Sequence, residues 1–454
     1  MVKMMSRKVL VVGSGISGVA ATELLKKQGD EVILFDGNPK LDVQALREKH
    51  PVFKDVEIIL GELPEEKMSA FDLVVLSPGV PTDIPMVCAL REKHIPIWGE
   101  IELAYQCAKG SVIAITGTNG KTTTTALVGQ IMENYFSDVK VVGNIGIPYT
   151  SVAAETTEET VTVAEISSFQ LETIHEFHPK VSAILNITPD HLNRHHTMEC
   201  YIKTKERIAE NQTADDTCVL NYEDEVLREF GSHLKTKVLY FSSRQKLENG
   251  LYLEGEDIFY HDGTKAVKVI NVNELNILGK HNYENVMAAT GMALSFGVPL
   301  EKIVEVLKRF QAVEHRIEYV TEKRGVKFYN DSKGTNPDAA IQGIRAMTTP
   351  TCLIGGGYDK GSTYDEWIEA FGSTIKYLVL IGQTSKAIAD CCEKHGFTNY
   401  EFATSMEEAV EKCASHAKPG EAVLLSPACA SWGMFDNYEQ RGRIFKELVR
   451  KLPD

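Results

Sequence analysis

Ile113-Ala114-Ile115-Thr116-Gly117-Thr118-Asn119-Gly120-Lys121-Thr122-Thr123 decides how this chain is read. An apolar strand segment runs into a tight glycine turn, and a lysine and hydroxyl residues then open a helix. That layout makes a cradle for the phosphates of ATP. Backbone N–H groups of Gly117, Thr118, Asn119 and Gly120 point inward, and the helix N-terminus behind them favours negative charge. Lys121 would reach the terminal phosphates, and Thr122, with Thr123 beside it, would offer a hydroxyl to Mg2+. The usual phosphate-loop pattern would place its first glycine at Ile115, so the match is incomplete. A plain strand–helix turn would explain the glycines but not a lysine and hydroxyls set beside them.

Working outward, 454 residues exceed one hydrophobic core, so about two to four domains are expected. A hydrophobic share of 43% and a charged share of 24% describe an ordinary globular chain. The net charge of −15 argues against a general binder of nucleic acid or membrane surfaces and leaves room for a local basic pocket. Val9–Val12 is too short for a signal-peptide core, and no run approaches the roughly 18–20 apolar residues of a membrane helix. The nine cysteines lack CxxC or zinc-type spacing, so reduced thiols and a cytoplasmic location are expected. Cys391 and Cys392 are expected on a helix, unbridged.

Three segments each open on a strand and then alternate strand and helix signals. The first has strands at Val9–Val12, Val32–Phe35 and Leu73–Leu76, with a helix over Val19–Gln28. The second starts at the phosphate loop and has buried-type strands at Val161–Ile166 and Val181–Ile187. Val238–Ile270 is more broken, with Asp262-Gly263 as a hairpin signal. The pattern resets around Gln311–Arg316, and strands come next at Val326–Asn330, Cys352–Ile354, Leu378–Ile381 and Val423–Leu425. The expected fold is α/β in three domains, 1–99, 100–312 and 313–454. A Rossmann-like unit comes first, a P-loop ATPase-type unit stands in the centre, and a second Rossmann-like unit ends the chain.

Gly13-Ser14-Gly15-Ile16-Ser17-Gly18 fits GxGxxG after a strand, and Asp36 closes the next strand, where an acid takes a ribose hydroxyl. A dehydrogenase, a nucleotide-sugar binder and a ligand-free tight turn all use that pattern. In the second segment Glu165 ends a strand at the sheet edge from which the phosphate loop emerges, where a carboxylate can hold a divalent ion. The next strand runs on to Asn186-Ile187-Thr188-Pro189-Asp190-His191, bringing His191 to the same edge. The third segment carries three polar loops after strands: Asn330 to Pro337, Gly355 to Lys360, and Ser426 to Trp432. Asp331 could accept from a ribose, and Pro337 suits a helix start. Together the loops look like an anionic small-molecule site; singly, each is a plain strand–helix turn.

With these residues quoted, the chain resembles the Mur ligases, ATP-dependent amide-forming enzymes of bacterial cell-wall precursor synthesis, over nearly its whole length. Gly117 to Thr122, Asn144-Ile145-Gly146, Glu165 to Gln170, Asn186 to His191 and Gly279-Lys280-His281-Asn282 carry the likeness, which extends to folylpolyglutamate synthetase. The incomplete phosphate loop is that superfamily's usual form. Asn330 to Asn336, and Ser426 to Trp432 running on to Phe435–Gly442, resemble the branch that adds D-glutamate. Gly334 stands where alanine is usual, and Asn193 where aspartate is common.

The resemblance implies that ATP phosphorylates the carboxylate of UDP-N-acetylmuramoyl-L-alanine and that D-glutamate attacks the acyl phosphate. Two Mg2+ ions would be held by Thr122, Glu165, His191 and Lys205, the last matching a carbamylated lysine. A lysine on an amphipathic helix is by itself usually solvated; only the family match gives Lys205 this role. Asn282, Asn285, Arg316 and Asp331 would contact ATP. Lys333, Thr335, Lys360, Ser431 and Tyr438 would surround D-glutamate, with Trp432 beside it. Ser14, Gly15, Ile16, Ser17, Asp36 and Gly79 would hold the UDP portion, and Asn144 with His191 the muramoyl end. Lys121, Glu165, His191, Lys205 and Lys333 would be the catalytic set. The first unit would then bind a uridine nucleotide and not NAD. A monomer is expected, and three domains on short hinges, each bringing a different reactant, are expected to close to align them. Three rivals leave residues unexplained or require different loops: a sister ligase, an oxidoreductase fused to a P-loop domain, and a non-catalytic nucleotide sensor.

Overall fold

Apolar runs without polar alternation form the inner strands of all three sheets, covered on both faces. The computed structural model describes residues 6–453 except 145, 278, 312, 313 and 360. The first five strands are β1 (Lys8–Val12), β2 (Glu31–Asp36), β3 (Glu57–Leu60), β4 (Leu73–Leu76) and β5 (Ile97–Gly99). They pair in parallel in the order β3-β2-β1-β4-β5. The order reverses between β1 and β4, so the loops after these two strands flank the crevice where such sheets bind ligands.

The central sheet holds β6 (Ser111–Thr116), β7 (Val139–Gly143), β8 (Val161–Glu165), β9 (Val181–Ile184), β10 (Thr217–Asn221), β11 (Lys237–Ser242), β12 (Asn249–Glu254), β13 (Asp257–Asp262) and β14 (Ala266–Asn271). Their order is β14-β13-β12-β11-β10-β9-β6-β8-β7. Ile115 pairs with Glu165 and Thr116 with Ile184, which brings the loops after β6, β8 and β9 to one edge. β9 stops at Ile184, short of the expected Ile187, because the next backbone groups serve the loops. The Asn186 carbonyl accepts from Thr118 N–H at 2.9 Å, and Ile187 N–H donates to Asp224 at 2.8 Å. The turn at Asp262-Gly263 joins β13 to β14; Asp262 Oδ1 accepts from Thr264 and Lys265 N–H, and Gly263 takes φ +91°.

The third sheet holds β15 (Glu318–Lys323), β16 (Val326–Asn330), β17 (Thr351–Gly355), β18 (Ile375–Leu380), β19 (Tyr400–Phe402) and β20 (Ala422–Leu425), in the order β15-β16-β20-β17-β18-β19. Only β15 runs antiparallel to its neighbour among the described pairings of this sheet. Leu425 pairs with both Asn330 and Ile354, so the loops after β16, β17 and β20 share an edge. Cys391 and Cys392 lie on the helix Ser385–Lys394, and all nine cysteines are free. No described helix is long and apolar enough to cross a membrane.

The chain divides into two compact units: residues up to Ile270 with Asn285–Val306, and Asn271–Glu284 with the residues from Leu307 onward. Within the first unit, the helix Glu100–Cys107 comes directly after β5. Its buried Glu100 accepts from the Thr150 N–H at 2.7 Å and hydroxyl at 2.8 Å. Its buried Glu102 accepts from the N–H groups of His175, Glu176 and Phe177 at 2.8, 3.0 and 3.1 Å.

Candidate active site

The phosphate loop is built by close packing. Gly117 takes φ +148°, and a Cβ there would lie 3.0 Å from Leu185 Cβ; Gly120 takes φ +86°, and its Cβ would lie 2.4 Å from Asn285 Oδ1. Both positions therefore call for glycine. The loop is moored to the turn after β9: Asn119 N–H donates to Asn186 Oδ1 at 2.8 Å, and Asn186 Nδ2 returns a bond to the Asn119 carbonyl at 3.1 Å. Thr118 Oγ1 lies 3.0 Å from the Tyr201 hydroxyl and accepts from Thr188 N–H at 3.0 Å. Lys121 and the buried Thr122 and Thr123 open the helix Lys121–Glu133. Lys121 Nζ donates to the carbonyls of Gly117 and Thr118 at 2.9 and 2.8 Å.

Lys205 does not share the usual fate of a helical lysine. Only 1% of it is exposed, and its Nζ donates to the Gly117 carbonyl at 2.8 Å over the face of Tyr201. Burial, and then the positive Lys121, hold its ammonium well below the ordinary lysine range. Glu165 is equally buried: Oε1 accepts from Asn144 Nδ2 at 2.8 Å, while Oε2 has no hydrogen-bond partner. A buried carboxylate oxygen left unmet is costly, and a cation would satisfy it. His191 is half exposed, caps the helix Leu192–His195 at φ +53°, and packs edge-on to Phe169 at 4.8 Å. The phosphate loop, Lys121, Lys205, Glu165 and Asn144 thus come together at one sheet edge, with His191 on the next loop.

At the first sheet, Ser14 and Asp36 meet. Asp36 Oδ2 accepts from the Ser14 N–H at 3.0 Å and hydroxyl at 2.7 Å, and Oδ1 accepts from Asn38 N–H at 3.0 Å. Partial burial favours the neutral acid, but these bonds hold the carboxyl below its ordinary range. Gly18 is a packing glycine, since its Cβ would fall 1.8 Å from the Gly13 carbonyl oxygen. Gly15 and Gly79 face open space instead, which leaves their backbone approachable. Ile16, 78% exposed, and the half-buried Ser17 start the helix Ile16–Gln28.

In the second unit, buried Asp331 accepts from Ser426 Oγ at 2.7 Å. Burial pushes its carboxyl up to about 6, against the pull of Arg316 beside it. Arg316 Nε is buried without a hydrogen-bond partner. Burial and that guanidinium keep His281 neutral, pushed down to about 3, next to the buried Asn282. Lys333 Nζ lies 5.4 Å from the Tyr438 ring centre, and Thr335 N–H donates to the Lys333 carbonyl at 2.8 Å. Ser431 is buried, while Trp432 is 54% exposed and meets Tyr358 edge-on at 5.5 Å. Lys360 lies outside the described residues. Gly334 sits so close to Asp331 that a Cβ would lie 2.7 Å from its Oδ2.

Three residues that hold these parts together were given no role from the sequence: Asn186, Tyr201 and Arg441. Arg441 is fully buried and donates Nε to Ser332 Oγ at 2.9 Å, Nη2 to the Ser332 carbonyl at 2.7 Å and Nη1 to the Cys429 carbonyl at 3.1 Å. It ties the loop after β16 to the loop after β20. The available signal was its place in the quoted stretch Phe435–Gly442.

Comparison with known proteins gives three consecutive family matches: the Mur ligase MurD-like N-terminal domain over residues 7–99, the Mur ligase middle domain over 115–293, and the Mur ligase glutamate ligase domain over 315–429. The UDP-N-acetylmuramoylalanine–D-glutamate ligase of Lachnospira eligens is 61% identical over 98% of this chain and 99% of its own. The protein of the same name from Lachnoclostridium phytofermentans is 57% identical over 99% of each. Among solved structures, UDP-N-acetylmuramate-alanine ligase from Thermotoga maritima superposes with a TM-score of 0.61 at 19% identity, covering 98% of this chain and 99% of that one. A pseudomurein peptide ligase type C from Methanothermus fervidus gives 0.59 at 17% identity, over 98% and 100%. These two share the fold.

Proposed function

The chain belongs to the Mur ligase family, and from that premise we propose that it joins D-glutamate to UDP-N-acetylmuramoyl-L-alanine in peptidoglycan precursor synthesis. ATP is cleaved to ADP and phosphate through an acyl phosphate. The observation that carries the chemistry is the convergence of the glycine loop, Lys121, buried Lys205 and the unmet oxygen of Glu165 at one sheet edge. The identity of the amino acid is supported by the names of relatives that match end to end.

In this reading the phosphates of ATP lie along Gly117–Thr123, and Lys121 turns from its loop carbonyls to the terminal phosphate. The substrate carboxylate attacks the γ-phosphorus, and the bond to the β-phosphate oxygen breaks. The amine of D-glutamate then adds to the acyl carbon, and the tetrahedral centre collapses to the amide with loss of phosphate and a proton. Phosphoryl transfer between anions depends on positioning and charge neutralisation. Mg2+ supplies part of that neutralisation, with Thr122, Glu165, His191 and a carbamylated Lys205 as its holders. Lys205 fits that modification because its neutral amine, favoured by burial, adds to carbon dioxide with release of one proton. Asn282, Asn285, Arg316 and Asp331 contact ATP. Lys333, Lys360, Thr335, Ser431 and Tyr438 receive D-glutamate, the lysines matching its carboxylates. Asn144 and His191 face the muramoyl end, and the first sheet holds the uridine diphosphate.

The test is ADP release with ATP, Mg2+ and UDP-N-acetylmuramoyl-L-alanine, comparing D-glutamate, L-glutamate and no amino acid. Turnover with D-glutamate alone is expected. Turnover with a different amino acid would overturn the reading of the third sheet, and no turnover in any combination would overturn the ligase chemistry.

A further inference from the structure

We propose that Asp365, Cys391 and His395 form a binding site for a thiophilic divalent ion such as Zn2+, outside the residues assigned to the ligase reaction. One thiol sulfur, one imidazole nitrogen and one carboxylate oxygen from these residues all lie within 4.8 Å of one another. Cys391 sits on the helix Ser385–Lys394 and His395 is its C-cap, so the i, i+4 spacing sets both side chains on one face. Asp365 opens the facing helix Asp365–Glu369. Its Oδ1 already lies 2.8 Å from His395 Nε2.

Tetrahedral Zn2+, with a sulfur at about 2.3 Å and nitrogen or oxygen at about 2.0–2.2 Å, needs its ligand atoms roughly 3.3–3.6 Å apart. The three ligand atoms, all within 4.8 Å of one another, would draw in to that spacing by side-chain rotation, with the fourth position left for water. One further contact and the helix end favour an ion over a plain ion pair. Glu369 Oε1 lies 3.8 Å from the other ring nitrogen of His395, where a carboxylate orients a metal-ligating imidazole. The last carbonyls of the Ser385–Lys394 helix add negative potential. Lys394 now holds Asp365 at 2.5 Å, but its side chain is 69% exposed and such surface pairs are weak, so it can swing into water. Cys392 is buried in the apolar core and does not compete. A thiolate and an imidazole select Zn2+ or Co2+ over Mg2+, which prefers oxygen ligands.

An ion here would clamp the two helices. Tyr364, the residue before Asp365, holds its hydroxyl 3.3 Å from Cys429 Sγ, so the clamp bears on the loop after β20.

The experiment titrates the full-length protein with Co2+, reduced by a phosphine and in excess Mg2+ to fill the oxygen-ligand sites. A near-ultraviolet thiolate-to-cobalt charge-transfer band should saturate at one equivalent and vanish on adding Zn2+. Cys391→Ser should abolish the band, and Glu369→Gln should weaken Co2+ binding about tenfold. His395→Gln should weaken it more, and Cys200→Ser should change nothing. Circular dichroism and unchanged ADP release verify folding. Absence of the band in the wild type, or its survival in Cys391→Ser, would overturn the proposal whether or not the ligase reading holds.

Discussion

Replacing Arg441 by Met should loosen both polar loops of the third sheet at once. The guanidinium serves three acceptors: Ser332 Oγ, the Ser332 carbonyl and the Cys429 carbonyl. Ser332 Oγ keeps a bond, because it also donates to the Tyr438 carbonyl at 2.8 Å. The two backbone carbonyls lose a strong, charge-assisted donor, at about 1–3 kcal/mol each. Against that stands relief of burying the guanidinium, whose charged form burial disfavours enough to push it down to about 10. The balance is a loss of about 2–4 kcal/mol. Urea unfolding monitored by the fluorescence of buried Trp367 would measure it as a lower midpoint. KM for D-glutamate should rise at least tenfold, because the loops carrying Lys333 and Ser431 lose their common anchor, while KM for the UDP substrate should hold. Arg441→Lys, with one donor group in place of a fork, should fall between. An unchanged midpoint, or lost stability with an unchanged KM for D-glutamate, would refute the anchoring role.

Glu165→Gln should lower kcat by roughly a hundredfold or more, as loss of a charge-stabilising group does. The same change should leave the metal-free melting temperature unchanged or higher, because it replaces a buried, partnerless carboxylate oxygen by part of an uncharged amide; a fall in both would mark Glu165 as structural. Gly120→Ala forces a side chain to φ +86° and to within 2.4 Å of Asn285 Oδ1, so KM for ATP should rise at least tenfold; near-normal ATP kinetics would contradict the loop geometry. Asp331 titrates at about 6 in the fold against about 3.9 when unfolded. The folded chain therefore binds the extra proton, and the contribution of this group to stability grows as pH falls from about 7 to about 4 and is lost as pH rises through about 6. If ionised Asp331 contacts ATP, kcat/KM for ATP should drop below about pH 6, and Asp331→Asn should flatten that limb; an unaltered limb would remove Asp331 from the site.

Strands such as Leu73–Leu76 and the core of β20 were readable because they are buried on both faces and flanked by turn residues. The glycine loop was readable because its lysine and threonines have no structural reason to stand together. Lys205 was not readable from its own surroundings: its helix looks solvated, and only burial beneath Gly117 and Tyr201 distinguishes it from Lys203, which is paired at the surface with Glu199. Asn186 acts on a loop 67 residues away, and Arg441 joins Ser332, 109 residues away, to the nearby Cys429, a pairing that no local pattern encodes. The departure at Gly334 shows its surroundings only in three dimensions, where a Cβ would lie 2.7 Å from Asp331 Oδ2 and the alanine usual there would require that carboxylate to shift.

The two carboxylates of the helix Glu100–Cys107 bear on how this protein could be recombined. Glu100 and Glu102 accept five hydrogen bonds from Thr150 and from the His175–Phe177 backbone, all on the central side of the chain. By these hydrogen bonds the helix is tied to loops of the central sheet, although along the chain it continues straight from the last strand of the first one. A chimera that grafts a foreign first sheet should be cut ahead of Glu100. A donor segment running on through Cys107 would have to bring acids at both positions, or five donors would lose their acceptors at the seam.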